Sequence, residues 1–115
     1  MTQLVYWSST GITKRVAEAF GGIELKEYTS GDYILMFPTF GAPGTGQHVP
    51  VPVKRFLSKH SDSLVGVVGM GNTNFGSEFC LGAYKVAHRF GVPLLTNIDV
   101  TPTFKQLNIL REEFK

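Results

Sequence analysis

Apolar residues along the chain follow two rhythms. Residues 4–7, 32–37 and 64–68 are apolar on nearly consecutive positions, the pattern of short parallel strands covered on both faces, and residues 94–100 read as the last strand. Between them, apolar residues recur at helical spacing: Val16, Ala17 and Phe20 after Ile12; Val53, Phe56 and Leu57; Phe79, Ala83, Val86, Ala87 and Phe90; Phe104, Leu107, Leu110 and Phe114. Residues 23–27 alternate, which predicts a further short strand. Gly21 and Gly22, Pro38 and Gly91 act as stops; Pro50 and Pro52 suit the first turn of the second helix, and Thr101 before Pro102 suits an N-cap followed by the first helical position. The resulting order is strand, helix, strand, strand, helix, strand, helix, strand, helix. It predicts an α/β fold: a doubly wound five-stranded parallel sheet in the order 2-1-3-4-5, with helices on both faces.

The chain's 115 residues are expected to form a single domain, residues 1–115. Hydrophobic residues make up 43% and charged residues 17%, ordinary for a globular protein, and the apolar runs are strand-sized rather than membrane-spanning. The first ten residues carry no pattern of a secretion signal, so a cytoplasmic protein is expected, with no membrane partner. Eleven Lys and Arg against nine Asp and Glu give a net charge of +2. That balance is too mild for a nucleic-acid partner, and Lys14, Arg15, Lys54, Arg55 and Lys59 are expected on solvated helix faces. One cysteine, Cys80, excludes an internal disulfide, and no Cys or His spacing suggests a metal site.

Three stretches rich in glycine and hydroxyls follow directly on predicted strands: SSTGIT at 8–13, PTFGAPGTG at 38–46 and GMGNTNFGSEFC at 69–80. Ligands of open parallel sheets sit outside the carboxyl ends of neighbouring strands, so the three are expected to share one site. In the first, Ser8, Ser9, Thr10 and Thr13 surround Gly11 where a helix begins, and a helix start binds anions through its free N–H groups and its dipole. A P-loop lysine is absent, which favours a phosphomonoester over a nucleoside triphosphate; a plain helix cap is the alternative. A receiver domain would need acidic residues where Tyr6, Trp7, Phe37 and Pro38 stand, and a low-molecular-weight phosphatase would need Cys and Arg in the first stretch. In the second stretch, Gly41, Gly44 and Gly46 permit close backbone approach beside Phe40; in the third, Gly71 and Gly76 bracket Asn72, Thr73, Asn74 and Phe75. This mixture suits a flat heterocycle with hydrogen-bonding edges, of which a flavin is one.

VYWSSTGIT, PTFGAPGTGQHVP and GMGNTNFGSEFCLGAYKVAHRFGVPLL together resemble the NrdI family of small flavodoxin-like proteins over nearly the whole chain, with GNTNFG followed by FC the most specific element. The resemblance implies a flavodoxin-like fold and bound FMN. Ser8, Ser9, Thr10, Gly11 and Thr13 would hold the phosphate. Thr39, Phe40, Gly41, Gly44 and Gly46 would lie near the ring, and Asn72, Asn74, Phe75, Phe79 and Cys80 would line its other side. It further implies a redox protein that activates a ribonucleotide reductase rather than a stand-alone enzyme. Reduced FMN would convert molecular oxygen to a superoxide-level oxidant for assembly of the dimanganese-tyrosyl radical cofactor in the class Ib small subunit, with electrons from an unidentified donor. The mildly basic balance contrasts with the strongly acidic electron-carrying flavodoxins and should oppose flavin reduction less. NIDVTPTF near the C-terminus departs from the family's usual acidic residue and Gly-Thr pair.

Other residues have simpler expectations. Cys80 suits a small buried position at a helix start, and Trp7 suits the core; Tyr84, Phe90 and Phe104 are expected to pack. His48, His60 and His88 are expected on the surface or in loops, and residues 42–48 are the expected partner contact. The alternatives are a one-electron flavodoxin, an NAD(P)H-dependent FMN reductase, and a flavin-free interaction module on the same fold.

Overall fold

The apolar runs form a sheet because each places successive side chains on opposite faces. The computed structural model describes residues 2–8, 11–38, 49–71, 81–99 and 104–114, with the backbone alone at 81, 99 and 104. The strands are β1 (Gln3–Tyr6), β2 (Ile23–Glu24), β3 (Tyr33–Pro38), β4 (Leu64–Gly71) and β5 (Leu94–Asp99); the helices are α1 (Ile12–Ala19), α2 (Val51–His60), α3 (Leu81–Phe90) and α4 (Phe104–Glu113). All pairings are parallel, in the order β2-β1-β3-β4-β5, as the alternation of elements predicts.

Two apolar clusters sit on either side of this sheet. Val5, Tyr33, Leu35, Phe37 and Val67 face Val53, Phe56 and Leu57 of α2 and Ala83, Val86 and Ala87 of α3. Their strand neighbours Leu4, Tyr6, Ile34, Met36, Val68, Met70 and Ile98 face Ala17 of α1 and Leu110 of α4. Both faces are thus covered, and each fully buried Val, Leu, Ile or Phe contributes about 2 kcal/mol. Among the described residues no helix is long and apolar enough to cross a membrane.

Several element bounds differ from the sequence expectations. The second strand stops at Glu24, and Leu25–Glu27 form a single 3-10 turn. The physical reason is the edge position: β2 pairs only with β1, and that ladder ends at Tyr6↔Glu24, so no partner strand holds residues 25–27. Pro50 is the N-cap residue of α2 rather than part of its first turn, while Pro52 lies within that turn. The fourth strand runs on to Gly71. Residues 78–80, 100 and 101–103, and with them the expected Thr101 cap, lie outside the described residues.

Two register shifts give the sheet local irregularity. Tyr33 pairs with Leu64 but Ile34 with Gly66, leaving Val65 as an extra residue; Val67 pairs with Leu94 but Val68 with Thr96, leaving Leu95 extra. The first is why Val65 is 38% exposed on an otherwise buried strand.

Candidate functional site

β1 ends at Tyr6, and the chain turns through Trp7 and Ser8 towards Gly11, the N-cap of α1. Gly11 has φ 92°, a left-handed conformation that glycine adopts without strain. Its N–H donates to Ser8 Oγ at 3.0 Å, and its carbonyl accepts the Arg15 N–H at 3.0 Å as the first bond of the helix. The N–H groups of Ile12, Thr13 and Lys14 therefore have no acceptor within the helix. Among the described residues no side chain caps this end, and no acidic residue stands in the first turn. Lys14 and Arg15 instead place two exposed cations where the helix dipole disfavours them.

An anion at this start would satisfy the free N–H groups, the dipole and the two cations at once. Thr13 of the same turn is 2% exposed, and Ser8, which accepts the Gly11 N–H, is half-buried. A Cβ added at Gly11 would meet nothing within 4 Å among the described residues. The donor set, hydroxyls and backbone N–H without a P-loop lysine, fits a phosphomonoester of the kind FMN carries.

Of the expected site residues, the structure brings Ser8, Gly11 and Thr13 together at this turn. Ser9, Thr10, Thr39, Phe40, Gly41, Gly44, Gly46, Asn72, Asn74, Phe75, Phe79 and Cys80 lie outside the described residues, as does His48. The strands that precede them are described: β1, β3 and β4 are adjacent and parallel, so all three stretches leave the sheet at its carboxyl edge.

Two residues that read as plain strand positions in the sequence matter to this region. The Tyr6 hydroxyl donates to Glu18 Oε2 at 3.0 Å, tying β1 to α1 beneath the candidate phosphate turn. Burial, and next the hydrogen bond to Glu18, push the phenol up to about 12. Asn97 of β5, paired in register with Gly69 of β4, holds a buried side-chain oxygen without a hydrogen-bond partner. An asparagine within an apolar strand was the available signal for it.

Other expectations need correction. Tyr84 does not pack into the core: it is 56% exposed and stacks on His88 one turn later, the rings 6.1 Å apart and 10° from parallel. Its position on the outer side of α3 explains this, because Ala83, Val86 and Ala87 already supply the buried stripe. His60 is not a simple surface residue. It is half-buried, its ring 4.8 Å from Phe56 and 5.0 Å from Tyr28, and its carbonyl accepts the Tyr33 hydroxyl at 2.8 Å. Trp7 and Phe90 are partly buried against the α2/α3 cluster. Among the described residues no group of three or more His, Cys, Asp or Glu could hold a metal ion.

The family profile described as NrdI flavodoxin-like matches residues 4–111. Protein NrdI of Cronobacter sakazakii is 36% identical over 123 aligned positions, which span 97% of this chain and 92% of that protein. Protein NrdI of Escherichia coli is likewise 36% identical over 123 positions, spanning 97% and 90%. In three dimensions the chain is similar to a short-chain flavodoxin associated with a non-canonical PDU bacterial microcompartment. The TM-score is 0.67 at 16% identity, covering 97% of this chain and 93% of the other, a likeness of fold alone.

Proposed function

The chain belongs to the NrdI flavodoxin-like family, and on that premise we propose that it is an FMN-binding redox protein serving a class Ib ribonucleotide reductase. The observation that carries the proposal is the uncapped start of α1, with Ser8, Gly11 and Thr13 gathered around free N–H groups and no carboxylate in the first turn. Ser9 and Thr10 complete the phosphate cradle in this reading. Thr39, Phe40, Gly41, Gly44 and Gly46 flank the ring on one side, and Asn72, Asn74, Phe75, Phe79 and Cys80 on the other.

The chemistry FMN supplies when bound is electron transfer to molecular oxygen, yielding the superoxide-level oxidant with which the dimanganese-tyrosyl radical cofactor of the small subunit is assembled. The chain's own contribution is to hold and orient. Gly11 lets the backbone close on the phosphate, the N–H groups of α1 neutralise it, and the Tyr6–Glu18 bond keeps α1 fixed on the sheet. A net charge of +2 adds no field opposing the negative charge that reduction brings to the site. The electron donor in this reading is a separate protein or small reductant.

The test is activation of the partner. A reduced, FMN-loaded sample mixed in air with the manganese-loaded class Ib small subunit should produce a tyrosyl radical signal in electron paramagnetic resonance. FMN uptake without any radical would reject the activator role, and steady NAD(P)H oxidation by the chain alone would replace it with a reductase.

A further inference from the structure

Asn97 is out of keeping with its strand. β5 reads Leu94, Leu95, Thr96, Asn97, Ile98 and Asp99, and asparagine is among the residues that strands disfavour. It pairs in register with Gly69 of β4, which pairs in turn with Phe37 of β3. Residues in register on neighbouring strands point to the same face, and Phe37 belongs to the cluster beneath α2 and α3. The next pair, Met70 and Ile98, is buried on the opposite face, so Asn97 points to the side that α2 and α3 cover. Its amide oxygen is shut off from solvent and has no hydrogen-bond partner among the described residues. The row lies within two residues of the carboxyl ends of its three strands, Pro38, Gly71 and Asp99. That is about 7 Å or less from the edge of the sheet where the candidate site lies.

A buried acceptor left unpaired carries the full cost of its desolvation and stabilises nothing. An apolar side chain at this position would serve the fold better. We propose that Asn97 is a positioning residue for the ring side of the flavin site, its amide oxygen accepting a backbone N–H of the chain that follows β4 when flavin is bound. The inference rests on the flavin reading of the site. Three features select this role. β4, the strand with which Asn97 pairs, leads into the stretch whose Asn72, Asn74 and Phe75 that reading sets beside the ring. The face to which Asn97 points is that of α3, the helix into which the same stretch leads. The phosphate turn is remote, since it follows β1, three strands from β5, and an amide oxygen is an acceptor that cannot hold a phosphate oxygen.

Asn97→Leu keeps the approximate size of the side chain and removes the acceptor. Urea unfolding of the full chain without flavin should give N97L a higher midpoint than the unaltered chain, because the fold itself loses no partner. Fluorescence titrations should show FMN and riboflavin each bound about tenfold more weakly by N97L, with the ratio between the two unchanged, because the effect is on the ring and not on the phosphate. The visible circular dichroism of bound FMN should change as well. Asn97→Ala, which cannot overpack, should weaken both flavins by a similar factor. Higher stability with lower affinity is a pairing that a merely structural role would not produce. FMN affinity unchanged in both variants, a loss confined to FMN, or a lowered midpoint in N97L would each overturn the inference. If the unaltered chain takes up neither flavin, the flavin reading falls together with it; equal uptake by the unaltered chain and both variants overturns this inference alone.

Discussion

Two glycines with ordinary backbone angles show how differently the same residue type is constrained. A Cβ at Gly22 would lie 2.9 Å from the Ala17 carbonyl oxygen, the same oxygen that accepts the Phe20 and Gly22 N–H groups to end α1. Backbone cannot yield as a side-chain tip can. Gly22→Ala should therefore cost about 1–3 kcal/mol, the range of overpacking. At Gly66 the added Cβ would meet Ile34 Cγ1 and the Leu95 side chain at 3.5 Å, ordinary packing distance. There Gly66→Ala should be neutral or stabilising by up to about 1 kcal/mol, since it removes chain entropy from the unfolded state. Urea unfolding of both variants checks the pair, and equal effects would refute the distinction.

Between elements, the Tyr6–Glu18 hydrogen bond is a polar tie in an otherwise apolar contact of α1 with the sheet. Its pH signature follows from the raised phenol. The folded value is about 12 against an ordinary 10.0, so the stabilisation is complete below pH 10 and is lost as pH rises through 12. Tyr6→Phe should lower stability at pH 7 by about 1.5 kcal/mol, the low end for a hydrogen bond to a charged group. It should also flatten the decline between pH 10 and 12. Tyr33, whose phenol is raised by burial and then by Tyr28, remains in the variant, so some alkaline loss persists. Denaturant midpoints at a series of pH values would show whether the two slopes differ.

For the whole molecule, the proposed site draws on segments that follow three adjacent parallel strands, so in this reading ligand and fold are linked. A ligand that binds only the folded chain stabilises it by about 2.7 kcal/mol at one hundred times its dissociation constant. In a domain of this size that amounts to a rise in Tm of roughly 10 °C or more. FMN should produce such a rise. Riboflavin, which lacks the phosphate assigned in this proposal to the start of α1, should produce a much smaller one at equal concentration. Differential scanning fluorimetry separates the cases, and equal shifts would remove the α1 turn from the site.

The order of strands and helices was legible from sequence because continuous apolar runs and helical spacing report directly which backbone geometry can bury them. The glycine turn that starts α1 was legible for a similar reason: small residues and a glycine ahead of helical spacing are local properties of consecutive residues. The truncated β2 was not, because its length depends on where Tyr6 ends the neighbouring ladder. Nor was Tyr84, since helical spacing says that a face is apolar but not whether the core has room for one more ring. The pairing of α2 with α3 on one face, and with it the gathering of Lys54, Lys85 and Arg89 into a single groove, belongs to the tertiary structure alone. Residues some thirty positions apart become neighbours only when successive right-handed crossovers lay both helices on the same side of the sheet.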